Sequence, residues 1–537
     1  MTEARDLAGL FPTRDSIPAD VRRAPDEAGL TLLIDGRSRR WDGAREGIRS
    51  AVCVREPDGR LGPLELGPSA RAGAAEGREA VEAAARAWAG GRGDWPRAST
   101  GERIACMLEF VRRARPLREA VARALLWEVG KPWPDCLKEF DRTIEYIEAT
   151  AETLRQIERD AAAPVPAGGF VARIRRAPLG VALCLGPYNY AVNEVFTTVV
   201  PALVMGNPVV MKTPRYGVLA NALLVPALRE SFPPGVVNLV TGRGSEVVGP
   251  IMESGLVDVL ALIGSARTAG TLLRQHPRPY RLRTVLGMGA KNPAIVLADA
   301  DLDAAAAEIV AGALSFNGQR CTALKHVLAE RPVADALVER LADHVGRQKV
   351  GMPWEEKVAI TPLPDPDQPA FLEGLVRDAT ERGARIVNPG GGERAGTLFR
   401  PALVYPVPED AQLFRVEQFG PIVPVSVVDS PEEALGVVER SEVGQQASIF
   451  GRDAATVGRL VDHLANLVCR VNLNTQCRRG PDVYPFTGRK DSAVGTLSVT
   501  DALRVFSIRS LVALPETDRP LLDELASRSV FLSPPAG

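Results

Sequence analysis

Residues 209–265 read VVMKTPRYGVLANALLVPALRESFPPGVVNLVTGRGSEVVGPIMESGLVDVLALIGS, and this stretch decides the fold class. Three short apolar runs, at 209–211, 236–240 and 260–263, predict buried strands. Helical patterns follow each run. Strands that alternate with helices of this length are typical of parallel α/β units. The sequence therefore predicts an α/β fold built on a parallel sheet.

The alternation continues towards the C-terminus. Further strands are predicted over residues 285–286, 295–297 and 325–330, and further helices over residues 301–316, 332–347 and 368–382. Towards the N-terminus, apolar residues at three- and four-residue spacing predict helices over residues 74–89, 102–115 and 138–158. The sequence also predicts an irregular lead-in over residues 1–70 with short strands, for example at residues 32–36. An edge or hairpin strand is predicted over 170–176, an exposed strand over 504–514 and a loose tail over about the last 20 residues.

Composition excludes several classes of protein. The chain has 537 residues, of which 45% are hydrophobic and 24% charged, and these values are typical of soluble globular proteins. A net charge of -1 argues against wholesale binding to nucleic acid or to an anionic membrane. Seven scattered cysteines and four histidines form neither a disulfide framework nor zinc-ligand spacing, so no metal is expected. The N-terminal residues do not resemble a signal peptide, and no uninterrupted apolar segment reaches about 20 residues, which predicts a cytoplasmic protein.

Several strand ends carry residues that suit a nucleotide. Lys212 ends one predicted strand, and Arg215 follows it at a position where a guanidinium would suit a 2′-phosphate. Gly244 lies in the turn between the next predicted strand and the helix that follows it. Gly264 and Ser265 lie in the corresponding turn after the strand at 260–263. Each feature alone is also compatible with a solvated strand end or an ordinary turn. Together they predict a nucleotide crevice.

Two residues could carry chemistry. Asn189 lies in the turn Leu185-Gly-Pro-Tyr-Asn-Tyr190, where its amide could donate to an oxyanion or could bond its own backbone. Cys321 lies in Phe316-Asn-Gly-Gln-Arg-Cys-Thr-Ala323, where it could be a reactive thiolate or an inert buried cysteine. Neither residue decides between these alternatives by itself.

The order of six motifs resembles the aldehyde dehydrogenase superfamily. They are Gly-Pro-x-Asn, a strand ending in Lys, Gly-x-Gly-Ser, Gly-Ser, Gly-Gln-x-Cys and Glu417-Gln-Phe-Gly-Pro421. The sequence around Cys321, together with residues 187–190, 444–450 and 479–482, is most similar to that of the NADP-dependent non-phosphorylating glyceraldehyde-3-phosphate dehydrogenases. The resemblance covers about residues 75–515.

The resemblance implies oxidation of an aldehyde, with glyceraldehyde 3-phosphate as the expected substrate, to the acid. Cys321 would form a thiohemiacetal and then a thioester, and the Asn189 side chain with the Cys321 backbone N–H would form the oxyanion hole. The cofactor would be NADP, with NAD also possible, and its implied binding residues are Lys212, Pro214, Arg215, Gly244, Gly264, Ser265, Glu417 and Phe419. The implied residues for a substrate phosphate are Arg142, Tyr190, Arg320 and Arg479.

The same resemblance implies a domain organisation and an oligomer. Residues 1–154 and 179–290 would form the NADP-binding domain, and residues 291–494 the catalytic domain. Residues 155–178 and 495–515 would form a β arm that joins subunits into a homodimer or homotetramer, and residues 516–537 would be a C-terminal tail.

One position departs from the superfamily pattern. The family's general-base Glu, within Glu-Leu-Gly-Gly-Lys, corresponds here to Gly287, and no carboxylate occurs between Val285 and Pro293. Three alternatives follow. Another group such as Glu417 activates water, or the thioester passes to another acceptor such as coenzyme A (or the reaction runs as a reduction), or the protein is a non-catalytic cofactor-binding homologue. Cys321, Asn189, Lys212 and Glu417 argue against the third alternative, because a relic has no chemical need for them.

Overall fold

Two largely parallel sheets form the frame of the protein, seen in a computed structural model that describes residues 6–533. Residues 1–5 and 534–537, which belong to the predicted first domain and the predicted tail, lie outside the described residues. The described strands are β1 Thr31–Ile34, β2 Arg37–Arg40, β3 Arg45–Arg55, β4 Leu61–Ala70, β5 Val165–Ala167, β6 Phe170–Pro178, β7 Ala182–Leu185, β8 Val209–Lys212, β9 Val237–Val240, β10 Val259–Ile263, β11 Arg283–Gly287, β12 Pro293–Val296, β13 His326–Glu330, β14 Arg385–Ile386, β15 Arg394–Ala395, β16 Leu398–Phe399, β17 Ala402–Tyr405, β18 Ile422–Val428, β19 Val443–Gly444, β20 Gln446–Phe450, β21 Arg470–Leu473, β22 Arg489–Lys490, β23 Ala493–Val494 and β24 Ser507–Pro515.

The described α-helices connect and cover these strands. They are α1 Ala74–Trp88, α2 Asp94–Arg97, α3 Thr100–Ala114, α4 Arg118–Val129, α5 Trp133–Asp160, α6 Asn193–Val204, α7 Val218–Ala222, α8 Val225–Ser231, α9 Gly244–Glu253, α10 Ala266–Gln275, α11 Leu302–Leu314, α12 Arg331–Gly346, α13 Gln368–Glu381, α14 Gln412–Arg415, α15 Pro431–Arg440, α16 Ala454–Leu464, α17 Val499–Val505 and α18 Arg519–Ala526. No helix within residues 6–533 is long and apolar enough to cross a membrane.

The first sheet has the order β2-β1-β9-β8-β7-β10-β11-β23. Its five central strands are parallel, and β1 and β23 pair with them in the antiparallel direction. The chain begins the parallel part at β7, adds β8 and β9 on one side, and then adds β10 and β11 on the other. This reversal makes a topological switch point, where open α/β sheets bind ligands outside the carboxyl ends of their strands. The predicted α/β fold class is confirmed.

The second sheet has the order β14-β17-β18-β13-β12-β20-β21. All its neighbours are parallel except β14 and β17. Strand β12 follows directly after β11 of the first sheet, so residues 288–292 carry the chain from the carboxyl end of one sheet to the amino end of the other. Side chains from both sheets can therefore meet at this junction.

A separate sheet of order β24-β6-β5 contains strands from both segments that are predicted to form the arm, while residues 155–160 belong to α5 and residues 499–505 to α17. Strand β24 pairs with β6 over its whole length, from Ser507 opposite Pro178 to Pro515 opposite Phe170. The strand predicted to be an edge or hairpin, β6, is the central one, and it forms a hairpin with β5. The long edge strand of this sheet, β24, exposes Ile508 and Leu511. Its use in joining subunits stays a prediction.

The structure differs from the sequence-based elements in four places. The predicted irregular lead-in contains a long hairpin, β3 and β4. The single helix predicted over residues 218–231 is two helices, α7 and α8, because Pro226 at the start of α8 has no N–H for a continuous helix. The strand predicted from residue 504 starts at Ser507, after α17. The predicted loose tail contains α18, whose Leu522 is buried, and Arg173 donates to the Leu532 carbonyl.

Candidate active site at the junction of the two sheets

Cys321 follows a strained turn at the end of α11. Residues Ser315–Gly318 form a 3₁₀ turn in which Phe316 and Asn317 have φ values of 50° and 55°. Non-glycine residues in this left-handed region are uncommon and cluster at functional sites. The turn directs the chain back so that Cys321 lies just before β13, half-buried at the amino end of the second sheet.

Asn189 reaches this turn from the first sheet. It lies beyond the carboxyl end of β7, and its Nδ2 donates to the backbone oxygen of Gln319 at 2.8 Å. The structure therefore brings together the two residues that the sequence predicts to be catalytic. Their roles as nucleophile and oxyanion donor stay predictions.

The surroundings of Cys321 favour the protonated form of its thiol. Burial raises the pKa of the Cys321 thiol, and the negative charge of Glu194 raises it further, while Lys325 and Arg479 act in the opposite direction. The Cys321 backbone oxygen accepts from Asn292 Nδ2 at 2.8 Å and from Lys325 Nζ at 3.0 Å. The backbone at Cys321 is thus fixed, and the thiol gains full nucleophilicity when it loses its proton.

Lys131 fixes the loop that carries Asn189. Its Nζ donates to the Asn189 backbone oxygen at 2.9 Å, forms a buried ion pair with Glu139, and lies 3.9 Å from the centre of the Tyr190 ring. Glu139 in turn accepts from the Val192 backbone N–H at 2.9 Å. Because both charged groups are buried and paired, this loop has little freedom to move.

Glu417 and Phe419 lie beside the same site, before β18. Glu417 forms an ion pair with Lys325, whose Nζ is 5.6 Å from the centre of the Phe419 ring. The neighbouring Lys291 donates to the backbone oxygens of Leu413 and Val416, both at 2.8 Å. Burial, together with the charge of Lys325, lowers the pKa of Lys291 to about 7.

Gly287 leaves space where the resemblance expects a general base. It ends β11, and a Cβ at this position would have its nearest neighbour, a side-chain atom of Ile263, at 3.5 Å. A Cβ at Gly289 would lie 3.1 Å from Glu417 Oε2. The segment therefore has room for a side chain at residue 287 and faces the Glu417 carboxylate two residues later.

A cavity of about 910 Å³ lies at the carboxyl ends of β8 and β9, and its lining includes Lys212, Pro214, Arg215 and Gly244. Burial lowers the pKa of Lys212 to about 8. Within residues 6–533 its ammonium makes no hydrogen bond or ion pair, whereas Arg215 is exposed and lies 3.9 Å from Asp365. A Cβ at Gly244 would meet nothing within 4 Å. An unpaired, largely buried cation beside an open helix N-terminus fits an anionic ligand such as a dinucleotide.

Gly264 and Ser265 lie at the next strand end, beyond the residues that line this cavity. Ser265 is the N-cap of α10, and its Oγ accepts from the Thr268 backbone N–H at 3.1 Å. Gly264 donates through its backbone N–H to the Gly287 oxygen at 2.8 Å. The two residues thus lie between the cavity and the β11 end, and their contact with a cofactor stays a prediction.

Two of the four residues predicted to bind a substrate phosphate lie together. Arg142 contacts Asp482 at 2.8 Å, and Arg479 Nε lies 3.5 Å from the same carboxylate. Arg479 also forms a buried ion pair with Glu194. The other two residues have different neighbours: Arg320 donates to the Gly312 oxygen at 2.7 Å, and the Tyr190 ring contacts Phe316 and Lys131.

Comparison with known proteins decides the family. The family model described as "Aldehyde dehydrogenase family" matches residues 64–511, which is most of the chain. The chain belongs to the aldehyde dehydrogenase family. This confirms the resemblance that the six motifs indicate.

Relatives within the family carry more specific names. An NADP-dependent glyceraldehyde-3-phosphate dehydrogenase of Streptococcus equinus is 36% identical over 431 residues, which cover 76% of this chain and 87% of the relative. The enzyme of the same name from Pisum sativum is 33% identical over 421 residues, covering 77% of this chain and 82% of the relative. The crystal structure of NADP-dependent glyceraldehyde-3-phosphate dehydrogenase from Bacillus halodurans complexed with NADP superposes with a TM-score of 0.82 at 31% identity, covering 90% of this chain and 99% of that one.

The site of this family member also contains charged residues that sequence reasoning missed. Lys131 and Lys325 contact the backbone of the two predicted catalytic residues, and Glu194 and Asp482 neutralise predicted phosphate ligands. The sequence did contain an indication of the lysines' importance, because the chain has only 8 Lys against 57 Arg and each Lys is therefore informative. The sequence contained no such indication for the two carboxylates, because each is one of 66 acidic residues and only the fold pairs it with an arginine.

Proposed function

We propose that this protein oxidises an aldehyde with NADP through a covalent intermediate on Cys321. The observation that carries the proposal is the hydrogen bond from Asn189 Nδ2 to the Gln319 oxygen, which places an amide donor beside the turn that presents the cysteine. The family supplies the reaction class, and relatives 33–36% identical are named as NADP-dependent dehydrogenases.

In the proposed reaction, the deprotonated Cys321 sulfur attacks the aldehyde carbon, and the carbonyl oxygen becomes an oxyanion. The Asn189 amide and the Cys321 backbone N–H donate hydrogen bonds to that oxygen. NADP, when bound, supplies the acceptor for the hydride that leaves the thiohemiacetal carbon. Loss of that hydride leaves the substrate as a thioester on Cys321.

The residues that would hold NADP extend from the cavity at β8 and β9, which is lined by Lys212, Pro214, Arg215 and Gly244, to the region beside Cys321. Lys212 supports this assignment because its largely buried ammonium makes no hydrogen bond or ion pair within residues 6–533, and Gly244 because it leaves a helix N-terminus open to phosphate. Arg215, exposed at the cavity rim, suits the 2′-phosphate that distinguishes NADP from NAD. Pro214 shapes the same rim, Gly264 and Ser265 would contact the pyrophosphate, and Glu417 and Phe419 would position the nicotinamide half.

Glyceraldehyde 3-phosphate is the substrate to test first, because the relatives are named for it. Binding of its phosphate by Arg142, Tyr190, Arg320 and Arg479 stays a prediction. The carboxylates of Glu194 and Asp482 would compete with that phosphate for two of the arginines.

A second candidate function follows from Gly287. No carboxylate at this position is available to activate water, and a general base typically contributes about 10²–10⁴-fold. In this alternative, Cys321 passes the acyl group to an acceptor that needs no such base, such as the thiol of coenzyme A, or the reaction runs as a reduction.

Rapid mixing of the protein with NADP⁺ and an aldehyde tests these alternatives. Fast, linear NADPH formation supports hydrolytic oxidation with Glu417 or another group as base. A burst of about one NADPH per site followed by a slow phase means that acylation works and release is limiting. If coenzyme A then abolishes the slow phase, the second candidate is supported. Cofactor binding with no burst for any aldehyde would support the non-catalytic homologue.

A further inference from the structure

Four charged side chains form a continuous chain from the protein surface towards Cys321. Arg142, at the surface end, contacts Asp482 at 2.8 Å. Asp482 lies 3.5 Å from Arg479, and Arg479 forms an ion pair with Glu194. The four charges alternate in sign and sum to zero.

The inner pair of this chain is buried and fully engaged. The side chains of Arg479 and Glu194 are 6% and 7% exposed. Burial disfavours the charge of Arg479, but the carboxylates of Glu194 and Asp482 outweigh burial and raise its pKa. Arg479 also donates to the Leu497 oxygen at 3.2 Å and lies 4.6 Å from the centre of the Phe486 ring. A ligand phosphate would have to displace a carboxylate from a buried pair, which leaves that carboxylate unpaired at high cost.

The surface end of the chain offers no excess positive charge either. Arg142 and Asp482 line an open cavity of about 620 Å³. The remaining charged residues of its lining are Arg118, Lys138, Asp141 and Glu145. Three cations therefore face three anions, and Arg118 is itself paired with Asp141 at 2.6 Å. Nothing in this balance favours a doubly charged phosphate over a neutral group.

We infer that Glu194 is a specificity-determining residue, which occupies Arg479 and so disfavours phosphorylated aldehydes relative to uncharged ones. This inference rests on the proposed function for the oxidation step, and it narrows the substrate class. Glu194 lies close enough to the reacting centre for its charge to act on the Cys321 thiol.

The test compares D-glyceraldehyde with glyceraldehyde 3-phosphate, because the two aldehydes differ only in the phosphate. In the unmodified protein, kcat/KM for NADPH formation should be at least about tenfold higher with D-glyceraldehyde. A phosphate would have to break the hydrogen bond between Arg479 and Glu194, and a hydrogen bond to a charged group is worth a factor of about ten or more. Glu194→Gln removes the competing charge and should shift the ratio of the two values at least about tenfold towards the phosphate ester. The matched control, Glu152→Gln on the exposed face of α5, should leave the ratio unchanged.

A second variant keeps the inference testable if Glu194→Gln does not fold. Glu194→Leu combined with Arg479→Met removes the whole pair, and replacing a buried ion pair by apolar residues is often tolerated. This double variant should keep the unmodified ratio within about threefold, because Arg479 makes no contact with substrate phosphate. A selective loss of activity with glyceraldehyde 3-phosphate, of about tenfold or more, would contradict the inference. So would an unmodified protein that prefers the phosphate ester.

The failure of this inference can be distinguished from failure of the proposed function. If no aldehyde yields NADPH, the proposed function fails, and inorganic phosphate becomes the probe. Phosphate should then raise the Tm of Glu194→Gln more than that of the unmodified protein, because a ligand stabilises a protein according to how tightly it binds, and phosphate at the Lys212 cavity would act equally on both proteins. Stabilisation of the unmodified protein to the same extent would overturn the inference.

Discussion

Asn189 and Gln319, which are 130 positions apart in the chain, are joined by a hydrogen bond of 2.8 Å from the Asn189 amide to the Gln319 oxygen. The bond connects the carboxyl end of the first sheet to the amino end of the second. It uses one of the two protons that an amide nitrogen can donate, and the other proton remains to serve an oxyanion. The hydrogen bond thus fixes the junction of the two sheets and leaves a second amide proton for the proposed oxyanion.

Asn189→Ala should therefore slow the first chemical step. Removing one oxyanion donor typically lowers kcat by about 10²–10³-fold. The rate of the NADPH burst measures this step directly. Asn466→Ala, which changes an exposed asparagine bonded within its own helix end, is the control and should keep the full burst rate. A burst that Asn189→Ala leaves unaltered would remove Asn189 from the oxyanion hole.

Cys321→Ser should abolish the covalent intermediate. The expected fall in NADPH formation is on the order of 10³-fold or more, because loss of the nucleophile removes the acylation route altogether. Mass spectrometry of acid-quenched mixtures should show an acyl adduct on the unmodified protein and none on the variant. Cys106→Ser, at a half-buried cysteine in α3, should behave like the unmodified protein. An adduct that persists in Cys321→Ser would place the nucleophile elsewhere.

Gly287→Glu should speed release of the thioester. The position has room for a side chain, and a carboxylate there would act as a general base for water, worth about 10²–10⁴-fold. We expect the slow phase after the burst to accelerate while the rate of acylation stays the same, so the burst becomes smaller as release approaches that rate. Gly287→Ala fills part of the same space without a carboxylate and should leave the slow phase as it is. Equal effects of the two variants would show that space, and not a missing base, sets the rate.

The affinity for NADP should fall as pH rises through about 8. Burial lowers the pKa of Lys212 to about 8, so its ammonium is charged at pH 7 and mostly neutral at pH 9. Loss of a charge-assisted hydrogen bond, worth about 1.5–3 kcal/mol, should raise the Kd roughly tenfold or more. Titration calorimetry at both pH values measures this change.

Two variants isolate the contribution of Lys212. Lys212→Met should bind NADP weakly at both pH values, with little difference between them. Lys349→Met, at an exposed lysine paired with Glu355, should keep the pH dependence of the unmodified protein. A Kd that changes with pH equally in all three proteins would assign the titration to another group.

Much of this protein could be predicted from its sequence because the signals are local. The apolar runs that became β8 and β10 and the Gly-rich strand ends are set by neighbouring residues, and so is the class of fold. The family followed from motif order, since each motif around Asn189 or Cys321 is short and contiguous. The absence of a carboxylate at residue 287 could be read from the sequence for the same reason.

The tertiary structure alone decided which charges meet. Glu194 and Arg479 are 285 positions apart, and no spacing rule relates them. Their pairing depends on how α6 and the loop after β21 pack together, and both side chains are buried there. The sequence by itself determined the fold, the family and the candidate nucleophile. The three-dimensional packing determined whether the predicted phosphate ligands are free, because electrostatic interactions depend on distance and burial, which a linear pattern does not contain.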